Sequence, residues 1–177
     1  GVFNNVAKED GSKENLVKII RDETLGDFNW NTSDVNDWTT SSLQDNLNTG
    51  GYYYAENRYT INAIEEVEWN LGGSSTYNDV TASMFYERER GTAVYGNHAT
   101  TWIGKTGLMY PSDYGYAVDL NKCSKSLNLY NDAFCISNNW MSSISTSEIW
   151  LLNPRTDTSN QSSSIVSNKI SFSPVDD

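Results

Sequence analysis

At 177 residues, of which 37% are hydrophobic and 20% charged, the chain has the size of one ordinary domain, 1–177, and can bury about 70% of the surface it exposes when unfolded. Its formal net charge of −11, from 12 Lys and Arg against 23 Asp and Glu, argues against nucleic acid and anionic membrane surfaces as partners, because both are held by dense cationic side chains. No apolar run approaches the roughly 20 residues that cross a bilayer, and the start, Gly1-Val2-Phe3-Asn4-Asn5, does not read as a signal peptide, so an exported protein would carry its targeting segment outside this sequence.

In chain order, Val2 to Ala7 and Leu16 to Arg21 flank Asp10-Gly11 and predict a hairpin, since strand propensity and a turn dipeptide agree there. Residues 27–37 read as a loop that lowers Phe28 and Trp30 onto the core. Ser41, with Gln44 three residues on and Leu43 and Leu47 on one face, predicts a short capped helix closed by Gly50-Gly51. Ile61, Ile64, Val67 and Leu71 have helical spacing and predict a second helix stopped by Gly72-Gly73.

Beyond Gly73 the chain breaks into short aromatic-rich pieces. Met84-Phe85-Tyr86, Thr92 to Tyr95 and Lys105 to Tyr110 read as strands with connecting loops, and Pro111-Ser112-Asp113 as a helix entry. Ile149 to Leu152 reads as a strand stopped by Asn153-Pro154, 156–164 as a polar low-complexity loop, and Ser164 to Phe172 as a weaker strand. Helices gathered early and strands gathered late predict an α+β fold with short, mostly antiparallel strands, rather than regular βαβ alternation.

Two cysteines, Cys123 and Cys135, lie on a polar stretch that reads as a loop or short helix. They are either two unrelated thiols of a cytosolic protein or a disulfide. The disulfide fits better, because closing so short a loop contributes about 3 kcal/mol in chain-entropy arithmetic and belongs to an oxidising compartment.

Chemistry-bearing constellations are sparse, and no catalytic set stands out. His98 has no Cys or carboxylate at metal-ligand spacing, and no G-x-S-x-G elbow accompanies it. Glu65, Glu66 and Glu68 fall on the predicted second helix, and Glu87 and Glu89 flank Arg88 in a charged run. Neighbouring helical residues point to different faces, so these carboxylates read as solvated surface rather than as an acid–base pair. Calcium could be held by loops such as Asp34 to Asp37 and Asn153 to Asn160, assembled from a distance, since the EF-hand pattern is absent. No other cofactor is expected. Six Trp and eleven Tyr invite a sugar-binding reading. Trp69 and Trp150 sit in apolar segments and read as core, whereas Tyr52-Tyr53-Tyr54, Tyr77 and Tyr95 are better placed for exposure, making Tyr52, Tyr53, Tyr77 and Tyr95 the candidate binding residues.

Several phrases together resemble a family: Gly1-Val2-Phe3, Leu16 to Arg21, Glu68 to Gly73, Glu89 to Thr92, Thr101 to Lys105, Gly107-Leu108-Met109-Tyr110-Pro111-Ser112-Asp113-Tyr114-Gly115-Tyr116-Ala117, Asn138 to Trp140 and Trp150 to Pro154. They resemble surface proteins of Gram-positive gut bacteria, many with a prepilin-type leader. That group is in turn similar, more weakly, to the C-type-lectin-like and formylglycine-generating-enzyme fold class. The resemblance implies an early helix at Trp38 to Asn48, a late strand at Trp150 to Pro154, a bridge between Cys123 and Cys135, and a place on the cell surface. Members continue into a G-V-R-P-x-L-Y-L-K-like closing strand, where this sequence reads Ser173-Pro174-Val175-Asp176-Asp177. A shortened chain, a different ending, or a strand supplied by another molecule would each account for that.

The expected function is a non-enzymatic, extracellular binding module, adhesin-like or pilin-associated, with a glycan or host protein as ligand. One alternative is a structural pilus or surface subunit that contacts its own copies. Another is an enzyme related to formylglycine generation, which would need a reactive cysteine pair.

Overall fold

The computed structural model describes residues 1–21, 24–55, 58–144 and 148–176. It is an α+β arrangement of small antiparallel sheets and short helices, with about 26% helix and 25% strand.

The N-terminal hairpin pairs β1 (Val2–Ala7) with β2 (Lys13–Val17). Its second arm therefore begins and ends earlier than predicted, and Lys18 to Arg21 lie beyond the strand. The turn sets the register. Gly11 adopts φ +79°, and Asp10 Oδ1 accepts from both the amide and the hydroxyl of Ser12, an Asx arrangement that closes the loop tightly. Asn5, at φ 55°, marks a bulge between Phe3 and Val6.

A 3-10 turn (Trp38–Thr40) leads into α1 (Ser42–Asn48), capped by the Ser41 hydroxyl on the Gln44 amide as the capping signal predicted. Two further short helices follow, α2 (Gly51–Ala55) and α3 (Arg58–Ala63). The predicted second helix is thus cut short, and Val67 and Leu71 are not on it. Val67–Asn70 forms β3, antiparallel to β4 (Thr101–Gly104), with Trp69 opposite Trp102. The helical spacing was a coincidence of two patterns, since Val67 and Trp69 alternate as strand residues and tertiary pairing decides between the periods.

Gly72 and Gly73 are sites of close approach, not a helix stop. A Cβ at Gly72 would lie 2.4 Å from the Arg88 carbonyl, and one at Gly73 would lie 2.0 Å from the Pro154 carbonyl.

Met84-Phe85-Tyr86, expected as strand, lie inside helix α4 (Ala82–Glu89), capped by Thr81. Thr92 to Tyr95 and Lys105 to Tyr110 form no strand. Pro111 does open a helix, α5 (Pro111–Tyr116), whose capping box joins Tyr110 and Asp113. Helix α6 (Ala133–Asn138) carries Cys135, and the disulfide to Cys123 is formed. It spans a local loop, yet both cysteines are at most 2% exposed and lie in the core.

The C-terminal sheet runs β5 (Ile149–Pro154), β6 (Gln161–Val166), β7 (Lys169–Pro174). The single weak strand expected from Ser164 to Phe172 is therefore a hairpin, turned at Ser167 and Asn168, both at positive φ. Half of the predicted polar loop is strand β6, and Ser162, Ser163 and Ser164 are fully buried. Ser162 donates to the Asn153 carbonyl, and Ser164 bonds Ser173.

Strand β5 lies between two cores. Leu151 packs with Phe85, Tyr114, Leu127, Ile165 and Ile170. Leu152, on the opposite face, packs with Trp30, Trp38, Leu47, Leu71 and Tyr110, as the two-residue strand period requires. The first and last strands belong to different sheets.

Candidate functional site

A groove of about 1310 Å3 lies between hairpin β1–β2, residues 18–21 and 24–29 beyond it, helices α1 to α3, strand β3 and the start of β5. Its walls are mainly apolar, with Leu16, Ile20, Ile64, Trp69, Leu108 and Trp150 among the lining residues. Trp150 is fixed there because its indole donates to the Phe28 carbonyl at 2.8 Å. Among the described residues, Lys13, Lys18, Arg21, Arg90 and Lys105 line it together with Asp27, Glu65, Glu68 and Glu148.

Lys18 occupies one side of the groove. Its ammonium lies 4.5 Å from the ring centroid of Tyr110, 5.6 Å from Trp69 and 5.7 Å from Phe3, and it pairs with Asp113. Arg90 stacks on Tyr86, 3.5 Å from the ring centroid, and faces Tyr110 at 5.6 Å. Cations over aromatic faces are attracted by the ring quadrupole, the more so when partly desolvated.

Behind this aromatic cluster lies Glu89, which is 0% exposed. Its carboxylate accepts from the Ser112 amide at 2.7 Å and from the Ser112 hydroxyl, and Arg90 lies 3.2 Å away. Burial pushes the Glu89 carboxyl up to about 7, against the opposing pull of Ser112 and Arg90. Burial also raises the Tyr110 phenol, whose oxygen accepts from the Asn70 amide at 2.9 Å.

Glu89 corrects the expectation of a solvated carboxylate. The signal was in the sequence: with α4 begun at Ala82, Phe85 and Glu89 fall on the same face. Reading Met84 to Tyr86 as strand concealed it. Glu65 and Glu66 lie ahead of β3, and Glu68 on it, instead of on a helix; Glu65 pairs with Lys8 at 2.8 Å.

The four candidate tyrosines do not gather. Tyr52 and Tyr53 line the groove. Tyr77 packs edge-on against Phe172, and Tyr95 against His98. Tyr54 lies outside the described side chains. Trp69 and Trp150 are half-buried groove walls that also pack on the second core.

The two loops suggested for calcium do meet, through Asn36. Its amide donates to the carbonyls of Arg155, Thr158 and Gln161 at 2.7 to 3.0 Å, so those oxygens already hold an N–H partner. Among the described residues no group of three or more His, Cys, Asp or Glu converges as metal ligands.

The phrases that carry the family resemblance also meet. Gly72 donates to the Glu89 carbonyl, Asn153 donates through its side chain to the Gly72 carbonyl, and Leu152 donates to the Met109 carbonyl. With the Glu89–Ser112 bonds, these contacts join four separate stretches of chain at the junction of the two cores. Compared with models of protein families, with curated proteins and with solved structures, the chain matches none.

Proposed function

We propose that the chain is a non-enzymatic binding module of an extracellular bacterial surface, and that the groove receives an apolar segment of a polypeptide partner. The observation that carries this reading is the groove itself. It combines an apolar, aromatic lining with cations held over aromatic faces, and apolar concavities with a few placed polar groups are the usual form of ligand sites. Apolar walls on several sides suit aliphatic and aromatic side chains better than a sugar ring, which needs hydroxyl partners beside its stacking face. The Cys123–Cys135 bridge accords with an oxidising location and leaves neither cysteine as a free thiol for oxidase chemistry.

Panning a random-peptide display library against the 177-residue chain tests this. Enrichment of apolar peptides that bind the native chain, and lose binding to the groove variants Ile64→Lys and Trp150→Ala, is the expected result. Peptides that bind these folded variants equally well, or a glycan array that yields ligands where peptides yield none, would overturn the polypeptide assignment.

A structural-subunit reading has one observation of its own. Hairpin β1–β2 is a separate two-stranded sheet that exposes Val2 and Val17, 69% and 68% accessible, and such edges pair readily with other chains. Concentration-dependent association that Val17→Lys abolishes, measured by analytical ultracentrifugation, would favour it.

A further inference from the structure

The cations of the groove are held in different ways. Lys18 is neutralised by Asp113, and Lys105 donates to the Ile61 carbonyl at 3.1 Å. Arg90, which follows the last residue of α4, is fixed over the Tyr86 ring and keeps an open edge. Its Nη1 donates to the Tyr86 carbonyl and to Glu89 Oε2, both at 3.2 Å. Among the described residues no group accepts from Nε or Nη2, the two nitrogens that a carboxylate bridges side-on. Tyr86, Arg90 and Tyr110 all line the groove. Behind Arg90, the fully buried Glu89 accepts the amide and the hydroxyl of Ser112. Besides Arg90, the charged or titratable groups that act on Glu89 among the described residues are Asp113, itself paired with Lys18, and the Tyr110 phenol, both from the α5 side. Gly72, which bonds the Glu89 carbonyl, brings no charge, and Arg88 is engaged elsewhere, by the Ser74 hydroxyl and the Thr76 carbonyl.

We propose that Arg90 is a specificity-determining residue of the groove, reading an Asp or Glu side chain beside the partner's apolar segment through Nε and Nη2, and that the buried Glu89 makes this capture proton-dependent, strongest when Glu89 is neutral. The proposal rests on the polypeptide reading of the groove and names which polypeptides it takes.

Two physical arguments support it. The Tyr86 ring and carbonyl hold the guanidinium in one orientation before any ligand arrives, so a two-point bond to a carboxylate costs little further ordering. The second argument is electrostatic. With Glu89 ionised, the Arg90 charge is already answered 3.2 Å away; with Glu89 neutral, it is left for a ligand. A ligand carboxylate on Arg90 in turn opposes ionisation of Glu89, whose carboxyl burial already pushes up to about 7. The complex therefore takes up a proton, and by reciprocity the affinity is greatest below the Glu89 titration and falls as pH rises through it.

The test is to pan a random-peptide library against the 177-residue chain at pH 6, with each peptide's C-terminus fused to the display protein so that only side-chain carboxylates are offered. Selected peptides whose binding is lost in Ile64→Lys and Trp150→Ala are then made as C-terminal amides and measured by titration calorimetry at pH 6 and pH 8. These peptides should carry Asp or Glu beside their apolar residues and bind the wild-type chain about tenfold more tightly at pH 6 than at pH 8. Replacing the acidic residue by its amide should remove that difference. Glu89→Gln should retain the pH 6 affinity at pH 8, and Arg90→Gln should bind the acidic peptide and its amide counterpart alike. Groove peptides without an acidic residue, or with the same affinity for the wild-type chain at both pH values, overturn the proposal and leave the polypeptide reading standing. So does an acidic preference that persists in folded Arg90→Gln, or a pH dependence that persists in folded Glu89→Gln. A library that yields no groove-dependent peptide overturns both. The wild-type measurements decide the matter whether or not a variant folds.

Discussion

Replacing Glu89 by Gln should flatten the pH dependence of this protein's stability. The Glu89 carboxyl is pushed from its ordinary 4.5 up to about 7, with burial as the main cause. A carboxyl raised in the folded state binds its proton more tightly there than in the unfolded chain. Between those two values the folded state holds more protons than the unfolded state, so stability falls as pH rises through the interval. At about 1.4 kcal/mol per pH unit, the loss between pH 5 and pH 8 comes to about 2 to 3 kcal/mol from this one group. Urea denaturation of wild type and Glu89→Gln at both pH values, with the disulfide intact, measures it. The growing negative charge of the whole chain also weakens the fold on going to pH 8, but equally in both proteins, so the difference between their slopes isolates Glu89. Gln keeps an acceptor for Ser112 and cannot ionise. Equal slopes in the two proteins would refute the argument that burial outweighs Ser112 and Arg90.

Gly73→Ala should destabilise by at least about 3 kcal/mol, because its Cβ would meet the Pro154 carbonyl at 2.0 Å, backbone against backbone; a thermal melt within a few degrees of wild type would contradict this. Asn36→Ala strips the shared amide partner from three carbonyls and should cost about 2 to 4 kcal/mol, read as a lowered urea midpoint. Removing the bridge by Cys123→Ala with Cys135→Ala should cost about 3 kcal/mol, as the closed loop is short. Because neither cysteine lines the groove, peptides selected against it should bind the double variant unchanged at a temperature where it is folded, as titration calorimetry would show.

Much of the local structure was legible in the residues. The Asp10-Gly11 turn, the Ser41 cap, the Pro111 helix entry and the strand opening at Ile149 each depend on contacts within a few positions and stand where local chemistry predicts them, although that strand runs on through Asn153-Pro154, which read as its stop. The α+β class followed from their order. Tertiary structure decided the rest. Residues 67–71 satisfied both a helical and a strand period, and only the arrival of Thr101–Gly104 as a partner chose the strand. Ser162 to Ser164 looked like loop because serine is ordinarily exposed, yet carbonyls of β5 and a serine of β7 satisfy two of their hydroxyls in the interior. Of the groove, only Tyr52 and Tyr53 had been singled out as binding residues. It exists because a hairpin, three helices and two strands distant in sequence enclose one volume, which local periodicity does not encode. Lys18 beside Asp113 and Glu89 beside Ser112 have the same origin: local preferences choose an element's conformation, whereas packing alone chooses its neighbours.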